Sequence, residues 1–129
     1  MSRIRAKNIF YSFKYAIEGL IYSIKTQRNM RIHLTMCILV FTLSFILNIS
    51  RIEILILLLT SCIVIVTEMI NTAIESVVDL YSRQWHPLAK ISKDLAAGAV
   101  LVSAIFSSIV GIIILWNPLF NFIMNIIGQ

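Results

Sequence analysis

At 129 residues, with 59% hydrophobic and 13% charged residues and a mean hydropathy of +0.91, the chain carries about half the charge of an ordinary soluble domain. That excludes a soluble globular domain, and the same apolar content excludes intrinsic disorder. The net charge of +5 does not mark a nucleic-acid binder, because seven of the eleven Lys and Arg (Arg3, Arg5, Lys7, Lys14, Lys25, Arg28 and Arg31) precede residue 32 and residues 95–129 carry no charge. This is the pattern of a membrane protein with a basic cytoplasmic N-terminus.

In chain order, Phe10, Phe13, Ile17, Leu20, Ile21 and Ile24 recur at helical spacing, while Lys14, Glu18 and Lys25 point elsewhere. The segment at about 8–26 therefore reads as an interfacial helix on the cytoplasmic leaflet, or simply as a membrane anchor. The first 31 residues hold no continuous apolar core, so a cleaved signal peptide is not expected. A span takes roughly 20 helical residues, and three apolar runs predict spans at about 32–49, 54–75 and 95–116. The chain is thus expected to be a single all-α membrane domain over 1–129. The first link, 48–53, reads as a tight turn, and the second, about 80–92, as a polar cytoplasmic loop broken by Pro87. Arg83, Lys90 and Lys93 lie in or beside the second link against Arg51 alone in the first, which puts the N-terminus in the cytoplasm and the C-terminus outside. Cys37 and Cys62 sit inside apolar runs without disulfide or zinc spacing and read as buried thiols.

The informative segment runs from Glu68 to Asp79. At about 100° per residue, Glu68, Asn71, Thr72, Glu75 and Asp79 share one helix face, and Ile70, Ile74, Val77 and Val78 fill the rest. Ionisable groups in a span are disfavoured by at least ~2.5 kcal/mol each at its centre. A structural polar seam between helices is one explanation, but such a seam more naturally uses Ser, Thr or Asn. Carboxylates that collect a hard cation such as Mg2+ explain the cluster better. Lys93-Asp94 stands immediately before the third span, either as a boundary marker with a snorkelling lysine or as a cation beside the carboxylates that could hold phosphate oxygens. Neither a GxxxxGK[ST] sequence nor any Gly-rich nucleotide loop is present. In the third span Ala99, Ser103, Ser107 and Gly111 repeat every four residues, a stripe that serves close packing between subunits or within one chain. Three spans alone cannot enclose so polar a cluster, so a homo-oligomer with sites shared between subunits is expected.

Two motifs, Glu68-Met-Ile-Asn71-Thr-Ala-Ile-Glu75-Ser-Val-Val-Asp79 and His86-Pro-Leu-Ala-Lys-Ile-Ser-Lys93-Asp94-Leu-Ala-Ala-Gly-Ala-Val, together with Gly19 and Arg28-Asn-Met-Arg-Ile-His33, resemble the small prokaryotic lipid kinases that include diacylglycerol kinase and undecaprenol kinase. The resemblance implies a homotrimer of three-span subunits with an N-terminal surface helix. It also implies transfer of the γ-phosphoryl group of ATP to the hydroxyl of a membrane lipid. By position Glu68 would be the general base and Glu75 would hold magnesium, with Asn71 and Asp79 in support. Lys93 and Asp94 would engage ATP, Tyr15, Gln84, Trp85 and His86 would contact the nucleotide, and Ala97 would lie near the lipid. The pattern departs at Gln27, where the family has an acidic metal ligand and a neutral amide brings no charge. Asn8 likewise stands where some relatives have Arg.

The chemistry fits that role. Phosphoryl transfer is mostly positioning and charge neutralisation, and Glu68, deeper than Glu75, is where partial burial would make a carboxylate a better base. The runs around His86 and Arg28 resemble the Gram-positive branch, which favours undecaprenol over diacylglycerol as the acceptor. A non-catalytic scaffold or small transporter is the competing class. A cation pathway would need polar groups continuing outward, and residues 54–59 and 112–116 offer none.

Overall fold

The computed structural model describes residues 9–81 and 84–128. Asn8, and Arg3, Arg5, Lys7 and Arg83 of the charge count, lie outside the described residues. The described residues form four helices and no strand: α1 (Ile9–Thr26), α2 (Arg28–Ile46), α3 (Arg51–Tyr81) and α4 (Pro87–Ile127). The last three are long and apolar enough to cross a membrane. α1 is the expected amphipathic helix, its apolar residues Phe10, Phe13 and Ile17 all exposed.

Local chemistry sets the joints. α1 and α2 meet at Gln27, the one non-helical residue between them (φ −98°, ψ 121°). The Arg31 guanidinium donates from Nη1 to the carbonyls of Ile24 (3.2 Å) and Lys25 (3.1 Å), so α2 reaches back and caps α1. Two residues past the end of α2 the chain turns at Asn48, whose φ of +48° is the left-handed geometry that Asn tolerates better than most residues. α3 then opens on a capping box: the Ser50 N–H donates to Glu53 Oε2 (2.8 Å), and the Glu53 N–H donates to Ser50 Oγ (3.3 Å).

The second link is shorter than the sequence suggested. Leu80 and Tyr81 complete α3, and α4 starts at Pro87. Pro87 breaks nothing: it occupies the first turn, where its missing N–H has no partner to lose. His86 is the N-cap, its Nδ1 accepting from the Leu88 N–H at 3.2 Å. Lys93 and Asp94 consequently lie inside α4 and do not mark its start. At its far end α4 runs past residue 116 to Ile127, with Pro118 inside the helix.

α4 packs along α3, α2 packs on α3, and α1 touches α2 and α3. The Thr67 and Ser103 hydroxyls hydrogen-bond across the α3–α4 interface at 2.9 Å, so at Ser103 the small-residue stripe serves packing within one chain. The buried apolar residues are few: Met30, Leu57, Val64, Ala96 and Val100. Large apolar side chains such as Ile38 (68% exposed), Phe45 (72%) and Ile113 (70%) face outward along the spans. Such a surface is stable against lipid and not against water.

Candidate functional site

The polar face of α3 forms a gradient. Glu68 is 1% exposed, and Asn71 and Thr72 are each 5% exposed. Glu75 is half-buried, and Asp79, about 16 Å beyond Glu68 along the helix, is exposed. The Asn71 amide donates from Nδ2 to Glu75 Oε1 at 3.2 Å, and the Thr72 hydroxyl donates to the Glu68 carbonyl at 2.9 Å. The expected single face is therefore one connected surface, entering the bundle at Glu68 and leaving it at Asp79.

Across the short link, Lys93 Nζ donates to Asp79 Oδ1 at 2.5 Å. The lysine thus stands beside the carboxylate face. Asp94 goes elsewhere: it accepts from Lys90 Nζ at 2.6 Å, one turn back on α4. The sequence reading missed Lys90, although its i, i+4 spacing to Asp94 is a legible signal. Trp85 is 79% exposed in the link beside Gln84 and His86. Ala97 is exposed on α4, one turn beyond Lys93. Tyr15 lies on α1, its ring centroid 6.4 Å from that of Tyr11. Gln27 is half-buried at the α1–α2 joint, and its side chain makes no capping bond.

Among the described residues, three buried side-chain atoms lack a hydrogen-bond partner: Ser23 Oγ, Glu68 Oε2 and Asn71 Oδ1. Buried acceptors without partners are destabilising, so this is where a bound group has most to satisfy. Among the described residues no three His, Cys, Asp or Glu side chains gather into a metal cage. Glu75, half-buried and held by the Asn71 amide, suits a cation that arrives with other ligands, and magnesium commonly binds through one or two carboxylates plus substrate phosphates. A half-open groove of about 510 Å³ also runs between α2, α3 and α4, lined by His33, Cys37, Ser61 and Ser107 among mostly apolar residues. It is an apolar feature of the spans, distinct from the carboxylate face.

The family described as prokaryotic diacylglycerol kinase matches residues 14–115. The chain is 48% identical over 117 residues to a diacylglycerol kinase of Synechocystis sp., an alignment covering 90% of this chain and 67% of the relative. It is 39% identical over 112 residues to the undecaprenol kinase of Bacillus subtilis, covering 87% of this chain and 91% of the relative. A diacylglycerol kinase of Haemophilus influenzae is 28% identical over 115 residues, covering 89% of this chain and 93% of the relative.

Proposed function

Because the chain belongs to the prokaryotic diacylglycerol kinase family, we propose that it phosphorylates a membrane lipid alcohol with ATP, and that the alcohol is undecaprenol. The observation that carries this reading is the α3 face, with a buried carboxylate at Glu68 at one end and Asp79 paired with Lys93 at the exposed end.

In this reading the lipid hydroxyl reaches Glu68 by lateral diffusion, and the nucleotide enters from the link that carries Gln84, Trp85 and His86. Glu68 takes the hydroxyl proton as the alcohol oxygen forms its bond to the γ-phosphorus. The bond from that phosphorus to the β,γ-bridging oxygen breaks, and its electron pair leaves on ADP. Lys93 places a positive charge against the phosphate oxygens, exchanging Asp79 for the nucleotide. Asp94 orients Lys90 and the neighbouring backbone for the same ligand, and Tyr15 contacts the nucleotide from α1. Ala97, without a bulky side chain, leaves room for the lipid chain. Glu75, oriented by Asn71, would hold magnesium, which supplies neutralisation of triphosphate charge. Gln27 adds an amide oxygen without charge, so this half of the metal site is weak.

The exposed end of the α3 face, at the Lys93–Asp79 pair, is an open mouth in a single chain, and a homotrimer with sites shared between subunits would close it. The basic residues before the first span support a cytoplasmic N-terminus and an external C-terminus, which puts the mouth on the side where ATP is found.

A second reading takes diacylglycerol as the acceptor, and it is favoured by the name of the 48% identical relative. Purified protein in mixed micelles with Mg2+ and radiolabelled ATP separates the two. Undecaprenol should be labelled with the higher kcat/KM. A higher kcat/KM for diacylglycerol selects the second reading, and labelling of neither lipid overturns both.

A further inference from the structure

Among the described residues, one buried hydroxyl has neither a role in the mechanism nor a hydrogen-bond partner. Ser23 is 2% exposed and is the buried residue of the otherwise exposed α1. Elsewhere in these helices the hydroxyls of Thr26, Ser44, Thr72, Ser76 and Ser92 donate to a carbonyl one turn back. That is a common arrangement for a hydroxyl inside a helix. Ser23 Oγ forgoes it and has no partner.

The fold brings this hydroxyl to the level of the buried carboxylate. Eighteen residues back from Ile46 is Arg28, and eighteen residues on from Arg51 is Met69. The two antiparallel helices each advance about 27 Å over that count. The start of α2 therefore stands beside Glu68–Thr72 of α3. The last turn of α1 is tied to the start of α2 by Arg31, through the carbonyls of Ile24 and Lys25, and by the Gln27 N–H donating to the Ser23 carbonyl at 2.9 Å. α1 also touches α3 directly. By this count Ser23 Oγ, Glu68 Oε2 and Asn71 Oδ1, the unpartnered buried atoms among the described residues, fall at the same level of the bundle, where α1, α2 and α3 meet.

We infer that Ser23 is a substrate-positioning residue that completes, with Glu68, a binding site for the hydroxyl of the lipid alcohol. The assignment rests on the lipid-kinase reading and deepens it. The donor and acceptor inventory selects the guest. Glu68 Oε2 can only accept, whereas a serine hydroxyl can donate. An alcohol oxygen meets both needs with one atom: its proton goes to Glu68, and a lone pair accepts from Ser23 Oγ–H. That second bond fixes the oxygen while its other lone pair faces the γ-phosphorus. A cation would suit the acceptor but would leave the serine proton without a partner.

The test is steady-state kinetics of the full chain in mixed micelles with Mg-ATP, using farnesol and dioctanoylglycerol as the probe alcohols, together with thermal midpoints. Ser23→Ala should raise KM for the phosphorylated alcohol about tenfold and lower kcat, with KM for ATP within about twofold of wild type. Its thermal midpoint should be unchanged or higher, because the variant removes a buried hydroxyl that has no partner. Ser23→Thr, which keeps the hydroxyl, should recover most of the lost affinity. Equal rises in both KM values, an unchanged KM for the alcohol, or a lowered midpoint with normal kinetics would each overturn the assignment and leave Ser23 a packing residue. The wild-type protein separates this outcome from failure of the underlying reading: if it labels neither alcohol nor undecaprenol, the lipid-kinase reading falls and takes the role of Ser23 with it.

Discussion

An amide at position 27 supplies an oxygen but no charge at the joint where α1 meets α2. If magnesium is shared between this position and Glu75, restoring an acid adds a full unit of attraction in a partly desolvated place. Gln27→Glu should then lower the magnesium needed for half-maximal rate by roughly tenfold, or ~1.4 kcal/mol, well inside the ~4 kcal/mol of a unit pair at 4 Å and intermediate dielectric. A magnesium titration of the two proteins checks this, and superimposable curves would remove position 27 from the metal site. Lys93 permits a sharper separation of stability from function. Its pairing with the exposed Asp79 is worth under about 1 kcal/mol to folding. Lys93→Met should therefore keep the thermal midpoint close to wild type while raising KM for ATP and reducing kcat. A variant that unfolds but turns over normally when folded would make the lysine structural.

At the scale of the element, the spans were legible because apolar runs of the right length have few other outcomes. The ends of the helices were harder to read. Residues 80–92 look like a loop because polar groups surround Pro87, yet the His86-Pro87 pair is a helix start, a cap followed by a residue preorganised for the first turn. The error hid the fact that Lys93 faces Asp79 from within a helix. Asn117 and Pro118 likewise resemble a stop signal, but α4 continues to Ile127 with Pro118 inside it. The shared face of Glu68, Asn71, Thr72, Glu75 and Asp79 was readable from spacing alone. The burial gradient along it was not, because it depends on where α1 and α2 end against α3. The capping box at the other end of α3 gives a local prediction. Ser50→Ala should destabilise the protein by about 1 kcal/mol, seen as a lower thermal midpoint in micelles with unchanged KM values. No shift would mean that the bundle, not the cap, sets where α3 begins.

For the whole molecule, the outward-facing apolar residues of α2, α3 and α4 require lipid or neighbouring subunits around them. The orientation in that lipid is testable after Cys37 and Cys62 are replaced by alanine. In intact spheroplasts a membrane-impermeant maleimide should label Gln129→Cys, and should label Tyr11→Cys only after permeabilisation. The reverse pattern would invert the topology and separate the carboxylate face from cytoplasmic ATP.

All these parts converge on Glu68, the buried carboxylate that would receive the proton of the lipid alcohol. The most direct measurement is single-turnover transfer from radiolabelled ATP to lipid by Glu68→Gln beside wild type, with nucleotide affinity measured on the same preparations. The expected result is transfer slowed by about 10²- to 10⁴-fold with ATP affinity largely intact, whereas Glu75→Gln loses ATP affinity and magnesium dependence together. Near-normal transfer by Glu68→Gln would contradict the assignment of Glu68 as the base at the centre of this site.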